Sequence, residues 1–304
     1  MHSSEDIAPG SDLTPRLGAI DITTIWHVIN AGDKYLFSDD EELADPAREF
    51  FKLWYAQNVD LDSFTPDLAT TTFARQLALP CHFFDHPEAF AAITKWLAYN
   101  CVGHIQESVP VKFKFVHLHL CPPDFVGPVN HARGSLKTTL HRGLWNRVGD
   151  LLKKGSNGIA CAHWAETAGR YFGALTKLEV YPLELSFSKN SINTLLGWLG
   201  DFHLNNKIIG CYSCKADWNR EVKSAVYRTR GHFDGLCIDC MDKSKIKNGR
   251  NDEDYWEKLG AVDGRFDKDC RIRHADNTWW VSWCGRDEHR RKLMDEKRAQ
   301  ERQE

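Results

Sequence analysis

Net charge is scarce in this 304-residue chain: 39 Lys and Arg against 42 Asp and Glu leave −3. That balance predicts no general attraction to nucleic acid or to anionic membranes. No stretch reaches the roughly 18 apolar residues that a membrane span needs. The opening MHSSEDIAPGSD lacks a basic segment followed by an apolar one, so no secretory signal is expected. Repeats and low-complexity tracts are lacking too. So are the glycine-rich phosphate loop, the GxSxG turn and the HExxH helix that mark large enzyme classes. With ten cysteines and no secretory signal, the expected setting is a reducing one: intracellular, cytoplasmic or nuclear.

What is present suits a folded protein. Hydrophobic residues make up 42% and charged residues 27%, as in ordinary globular chains. Eleven Trp and sixteen Phe supply large buried areas. The length allows one large or two ordinary domains.

The apolar spacing is mostly helical. From Asp21, the residues Ile22, Ile25, Trp26 and Ile29 fall on one helix face. Asp45-Pro46 reads as a helix start, an acceptor followed by a residue with no amide hydrogen. That helix would present Ala47, Phe50, Phe51 and Trp54 to a core. Asp85 and Glu88 have capping-box spacing ahead of the stripe Phe90, Ile93, Leu97 and Cys101, with Gly103 as the stop. VKFKFVHLHL (111–120) is the best strand candidate, with a short buried helix as the alternative, and CPPDFVGP is a break. Further helices are expected over 130–153, 164–179, 189–203 and 216–234. In the last, Trp218, Val222, Ala225, Val226 and Phe233 share a face. The charged end, RDEHRRKLMDEKRAQERQE, reads as a solvated helix or a disordered tail.

The predicted fold class is therefore mainly α, with a small irregular C-terminal module. The expected division is a loose tail (1–16), a helical region (17–155), a helical and cysteine-rich module (156–285) and a charged tail (286–304).

Six of the ten cysteines follow residue 210. Two CxxC pairs, Cys211/Cys214 and Cys237/Cys240, are separated by 22 residues, and Cys270 stands four before His274. Zinc needs four soft or borderline ligands converging as a tetrahedron, and each of these short spacings aims two ligands at one point. A helix filling the interval between the pairs would hold Cys211 and Cys237 roughly 35–40 Å apart. The spacing thus favours a closed structural site of Cys237, Cys240, Cys270 and His274 holding one zinc, with Cys211 or Cys214 as replacement ligands. Redox work by CIDC is disfavoured, because Asp234, Asp239 and Asp242 would weaken a thiolate. The same acids favour a dication and could accept hydrogen bonds around it. Cys81, Cys101, Cys121 and Cys161 read as buried thiols.

Several phrases carry a resemblance. GLCIDCMDKSK (235–245), DEDYW (252–256), FDKDCRIRH (266–274) and TWWVSWCGR (278–286) resemble the C-terminal region of fungal BTB/POZ-like proteins. INAGDKYLF (29–37) is similar to the ADKY-type helix after the BTB core of that group. ALPCHFFDHPEAFAAITKWLAYNCVG (78–103) resembles the helical pair that follows it. The resemblance covers about half of the chain. It implies protein–protein adaptor work without catalysis. In that group a BTB core of about a hundred residues precedes the ADKY-type helix, and here only 32 residues precede Asp33. Dimerisation through such a core is therefore not expected.

Two other functions compete. Arg220, Lys223, Arg228, Arg230, Lys243, Lys245, Lys247 and Arg250 would suit a zinc-dependent nucleic-acid binder. Yet residues 211–304 hold 21 Lys and Arg against 19 Asp and Glu, a weak excess for a phosphate surface. An enzyme would need a site. His117 and His119 share a face if 111–120 is a strand, but no acid, cysteine or third histidine stands at ligand spacing, and Cys161, His163 and Glu166 are equally thin. Trp279, Trp280 and Trp283 read as a strand buried over the metal module; exposed, they would anchor a partner. The expected partner is a protein, with no membrane, nucleic acid or small-molecule substrate.

Overall fold

The computed structural model describes residues 17–35, 41–114, 125–159, 161–205, 216–239 and 270–272. Among these the protein is mainly α-helical, with no strand. Nine α-helices are described: α1 (Ile22–Lys34), α2 (Glu41–Asn58), α3 (Leu68–Phe83), α4 (Pro87–Asn100), α5 (Val126–Ser156), α6 (Trp164–Lys177), α7 (Leu183–Lys189), α8 (Ile192–Gly200) and α9 (Trp218–Arg230). No helix is long and apolar enough to cross a membrane among the described residues.

The chain forms two compact units. The first takes residues up to His86 together with 107–119. Asp21 caps α1, its carboxylate accepting from the Thr24 amide at 2.8 Å. Ile25, Trp26 and Ile29 are buried as the helical spacing predicts, and Ile22 is only half-buried. α1 packs on α3, where Pro80 lies inside the helix. A proline has no amide hydrogen for the carbonyl four residues earlier, here that of Gln76. The buried Trp26 indole N–H donates to that carbonyl at 3.0 Å. A deficit created by sequence in one helix is thus closed by a side chain of another.

α2 starts a turn earlier than Asp45-Pro46 suggests, at Glu41, and Pro46 lies inside it. Asp45 pairs with Arg48 at 3.0 Å on the surface. Phe51 and Trp54 are fully buried, whereas Ala47 and Phe50 are only partly so. Phe51 stacks on Phe84 at 4.8 Å, and the Trp54 indole donates to the Ile20 carbonyl at 2.9 Å.

Asp85 also plays a part that its spacing does not suggest. It stands at φ +52, the left-handed stop of α3. The Asp85 amide donates to His82 O at 3.1 Å and the His86 amide to Cys81 O at 2.9 Å, the two bonds of a Schellman ending. Aspartate tolerates that conformation better than most residues. α4 then opens on Pro87, where a missing amide hydrogen costs nothing. In the strand candidate, Val111–Lys114 is turn and irregular chain, with the Phe113 amide bonded back to Pro110 O; residues 115–120 lie outside the described ones.

The second unit takes residues 87–106 and 120 onward. The division expected at 155/156 falls at the end of α5, and this grouping cuts the chain elsewhere. α5 contacts α4 and α6, and α9 lies along α5. Gly143 permits that approach: a Cβ there would sit 2.6 Å from the Ala225 Cβ. α5 is longer than the expected 130–153 because Pro128 is accepted in its first turn. The helix expected over 189–203 is broken at Asn190, and Ser191 caps α8 by accepting from Thr194 N at 3.0 Å. Phe90, Ile93 and Leu97 of α4 and Cys101 just after it are buried, as are Trp218, Val222 and Ala225 of α9. Val226 is only half-buried, and the helix expected to run to 234 ends at Arg230, with Phe233 buried beyond it. Cys81 is buried too, Cys161 is half-buried, and Cys121 lies outside the described residues.

Candidate metal centre

The end of α9 and the segment after it are tied to α4 at several points. The buried Tyr99 hydroxyl lies 2.8 Å from Thr229 O and 3.0 Å from Arg230 O, in the last turn of α9. Burial pushes the Tyr99 phenol up, so it stays a donor at neutral pH. Lys95 meets Asp234 at 3.1 Å. Gly235 then runs so close to α4 that a Cβ would stand 1.9 Å from Ala91 O, and its φ is +100, which side chains other than glycine rarely adopt. The Leu236 amide donates to the buried Thr94 hydroxyl at 2.8 Å, and that hydroxyl reaches back to Phe90 O at 2.8 Å. Leu236, Cys237 and Ile238 are consequently buried.

This anchoring presents Cys237, Asp239 and Cys270 together. Their sulfur and carboxylate ligand atoms all lie within 4.8 Å of one another. Two sulfurs bound tetrahedrally to one zinc at 2.3 Å would be about 3.8 Å apart. A shift of about an ångström or less would therefore close the pair on an ion. Neither cysteine is in a disulfide.

Asp239 holds the second half of the cluster in place. Its carboxylate accepts from the Arg271 amide at 2.7 Å, from Nε at 2.9 Å and from Nη2 at 2.7 Å. The residue after Cys270 is thereby clamped by backbone and side chain at once, a charge-assisted arrangement stronger than a neutral hydrogen bond. Of the acids around the thiols, Asp234 is thus paired with Lys95 and Asp239 with Arg271, and Asp242 lies outside the described residues. Asp239 can orient the thiols or turn one oxygen to a metal.

Of the four predicted ligands, the structure brings Cys237 and Cys270 together. Cys240 and His274 lie outside the described residues, as do Cys211, Cys214, His117, His119, Trp279, Trp280 and Trp283. Glu166 is engaged with Arg170 at 2.7 Å on the surface of α6, and among the described residues Cys161, His163 and Glu166 form no metal-ligand cluster.

Residue spacing alone missed the supports. Arg133 donates to Cys101 O at 2.9 Å and to Gly103 O, placing a cation at the C-terminal end of α4. The Ser135 hydroxyl meets His232 Nε2 at 2.6 Å and ties α5 to the segment leading to Cys237. Burial pushes the His232 imidazole down, which favours its neutral form. The helical spacing of 130–153 identified α5, but nothing local to Ser135 points across 97 positions to His232.

No known family model, curated protein or solved structure matches the chain.

Proposed function

We propose that this protein is a non-catalytic interaction or adaptor protein of the fungal BTB-like type, with a structural zinc that fastens its C-terminal part. The observation that carries the reading is the meeting of two thiols 33 positions apart in sequence, Cys237 and Cys270, beside the Asp239–Arg271 clamp. The segment 235–239 is already fixed to α4, so an ion bound there would fasten 270–272 to an existing platform. Zinc binding in finger peptides is worth roughly 10–16 kcal/mol, comparable with the whole stability of a domain at about 5–15 kcal/mol. Four protein ligands, with Cys240 and His274 completing the set, would leave no open position for a reacting water.

The test compares proximity labelling by the wild-type chain and by Cys237→Ser in cells. A defined partner set that is lost in the variant supports a metal-fastened adaptor. An unchanged set separates the thiols from the interaction role, and no reproducible set removes that role.

A second reading, nucleic-acid binding, is favoured by one feature. Arg147 of α5 joins Arg220, Lys223 and Arg228 of α9 along an open groove of about 1000 Å³, where Tyr227 is 81% exposed and free to stack. Asp217 and Glu221 share the groove and weaken its field. A single-stranded probe whose affinity falls steeply with salt, and falls further in Arg147→Ala, would support it. No binding at physiological salt would remove it.

A further inference from the structure

Away from the thiols, a half-enclosed cavity of about 280 Å³ lies among α5, α6 and the start of α7. Its floor is apolar: Leu144, Leu175 and Leu183 are buried. The floor is fixed by the Tyr171 hydroxyl, which donates to Leu144 O at 2.7 Å. Three aromatic rings form its sides. Phe172 stands between Trp145 and Tyr181, with centroids 5.6 Å and 4.8 Å away and both neighbours tilted by 39°. His141 lies nearly parallel to Trp145, at 9° and 6.2 Å between centroids, and also lines the cavity. Tyr181 is set by the chain behind it, where Ser186 Oγ donates to Glu179 O at 2.8 Å. Trp145 stays 40% exposed and Tyr181 37%, although both carry large apolar surfaces.

The remaining lining residues are His141 and Glu184, and no cation pairs Glu184 among the described residues. Ring faces carry negative potential and attract a cation placed over them. A carboxylate at the same cavity adds to that attraction and repels an anion. The leucine floor favours methyl groups over a hydrated primary ammonium, whose water shell is costly to remove. Rings, acid and apolar floor together select a charged head that is also greasy.

We propose that this cavity binds a quaternary ammonium group, as carried by a trimethyllysine side chain of a partner protein. The inference names the chemistry of the partner for the interaction role above and rests on that reading only for the source of the group, not for the binding itself.

Calorimetric titration of the full chain tests it with four probes: choline chloride, its uncharged isostere with a tert-butyl group, a short peptide with trimethyllysine, and the same peptide with unmodified lysine. Choline and the trimethylated peptide should bind saturably, and the isostere and the unmodified peptide about tenfold more weakly. The tighter of the two cationic ligands identifies the source, a protein side chain or a free amine. Tyr181→Ala and Glu184→Lys should each lower affinity about tenfold. Should Tyr181→Ala fold poorly, Glu184→Lys on an exposed position still decides. Equal binding of choline and its isostere, unchanged affinity in Glu184→Lys, or no saturable heat with any ammonium overturns the proposal. Zinc content measured on the same sample is independent of these outcomes, so a failed cavity and a failed metal site are told apart.

Discussion

The two units differ in how they treat their buried indoles, although each also holds other buried polar atoms without a partner among the described residues: Tyr55 Oη and Arg75 Nε in the first, Arg133 Nε in the second. In the first, both fully enclosed indoles are partnered: Trp26 donates to the carbonyl that Pro80 leaves open, and Trp54 donates to Ile20 O. In the second, Trp218 is 1% exposed, and its indole N–H has no partner among the described residues. The polar bonds of the second unit gather instead around 229–239: Tyr99 on the last turn of α9, Thr94 on Leu236, Ser135 on His232 and Lys95 on Asp234. The first unit directs both indole donors to main-chain carbonyls, one of them the carbonyl that Pro80 leaves open. The second uses its polar groups to hold one irregular segment still, and that segment carries Cys237. Rigid support concentrated on irregular chain is what a metal or binding site requires.

The largest effect that separates the units should come from Trp54→Ala. Removing this buried ring should cost about 3–5 kcal/mol in a denaturant melt and leave zinc stoichiometry unchanged in the folded fraction. Gly235→Ala should follow, at about 3 kcal/mol from the left-handed backbone and the contact with Ala91 O, and it should lower metal affinity as well. Equal metal binding in Gly235→Ala would mean that the anchoring on α4 does not position Cys237.

A smaller contrast lies in the indole hydrogens. Trp26→Phe strands the Gln76 carbonyl and should cost about 1–3 kcal/mol beyond the lost ring area. Trp218→Phe removes a donor with no described partner and should cost less, since a buried unpaired N–H is itself unfavourable. Similar losses in the two melts would erase the distinction between the units.

The smallest effect concerns acid. His232 titrates lower in the folded chain than its unfolded value of about 6.5. The unfolded chain therefore binds the proton first as pH falls. The contribution of His232 to stability is fully present above about 6.5 and is lost as pH falls towards its folded value. Denaturant midpoints should show this loss in wild type and a shallower one in His232→Gln.

The helices were largely legible in the sequence because burial follows local spacing there. Ile25, Trp26 and Ile29, and again Phe90, Ile93, Leu97 and Cys101, repeat at helical intervals and face the core. The sequence is ambiguous where one residue can serve either neighbour. Asp85 has the chemistry of an N-cap for α4, yet it ends α3 in the left-handed region; Pro46 can open a helix or lie inside one. The pairing of Cys237 with Cys270 was accessible from ligand spacing. The Asp239–Arg271 clamp, the Thr94 bond and the cavity of Trp145, Phe172 and Tyr181 were not, because they join elements whose register is set only by packing.

The most direct test of the metal reading is cobalt substitution in the full-length chain, wild type beside Cys237→Ser and Cys270→Ser. One cobalt per chain is predicted, with a thiolate-to-metal charge-transfer band that weakens in both variants and is displaced by zinc. No stoichiometric uptake, or a band indifferent to both substitutions, would contradict it.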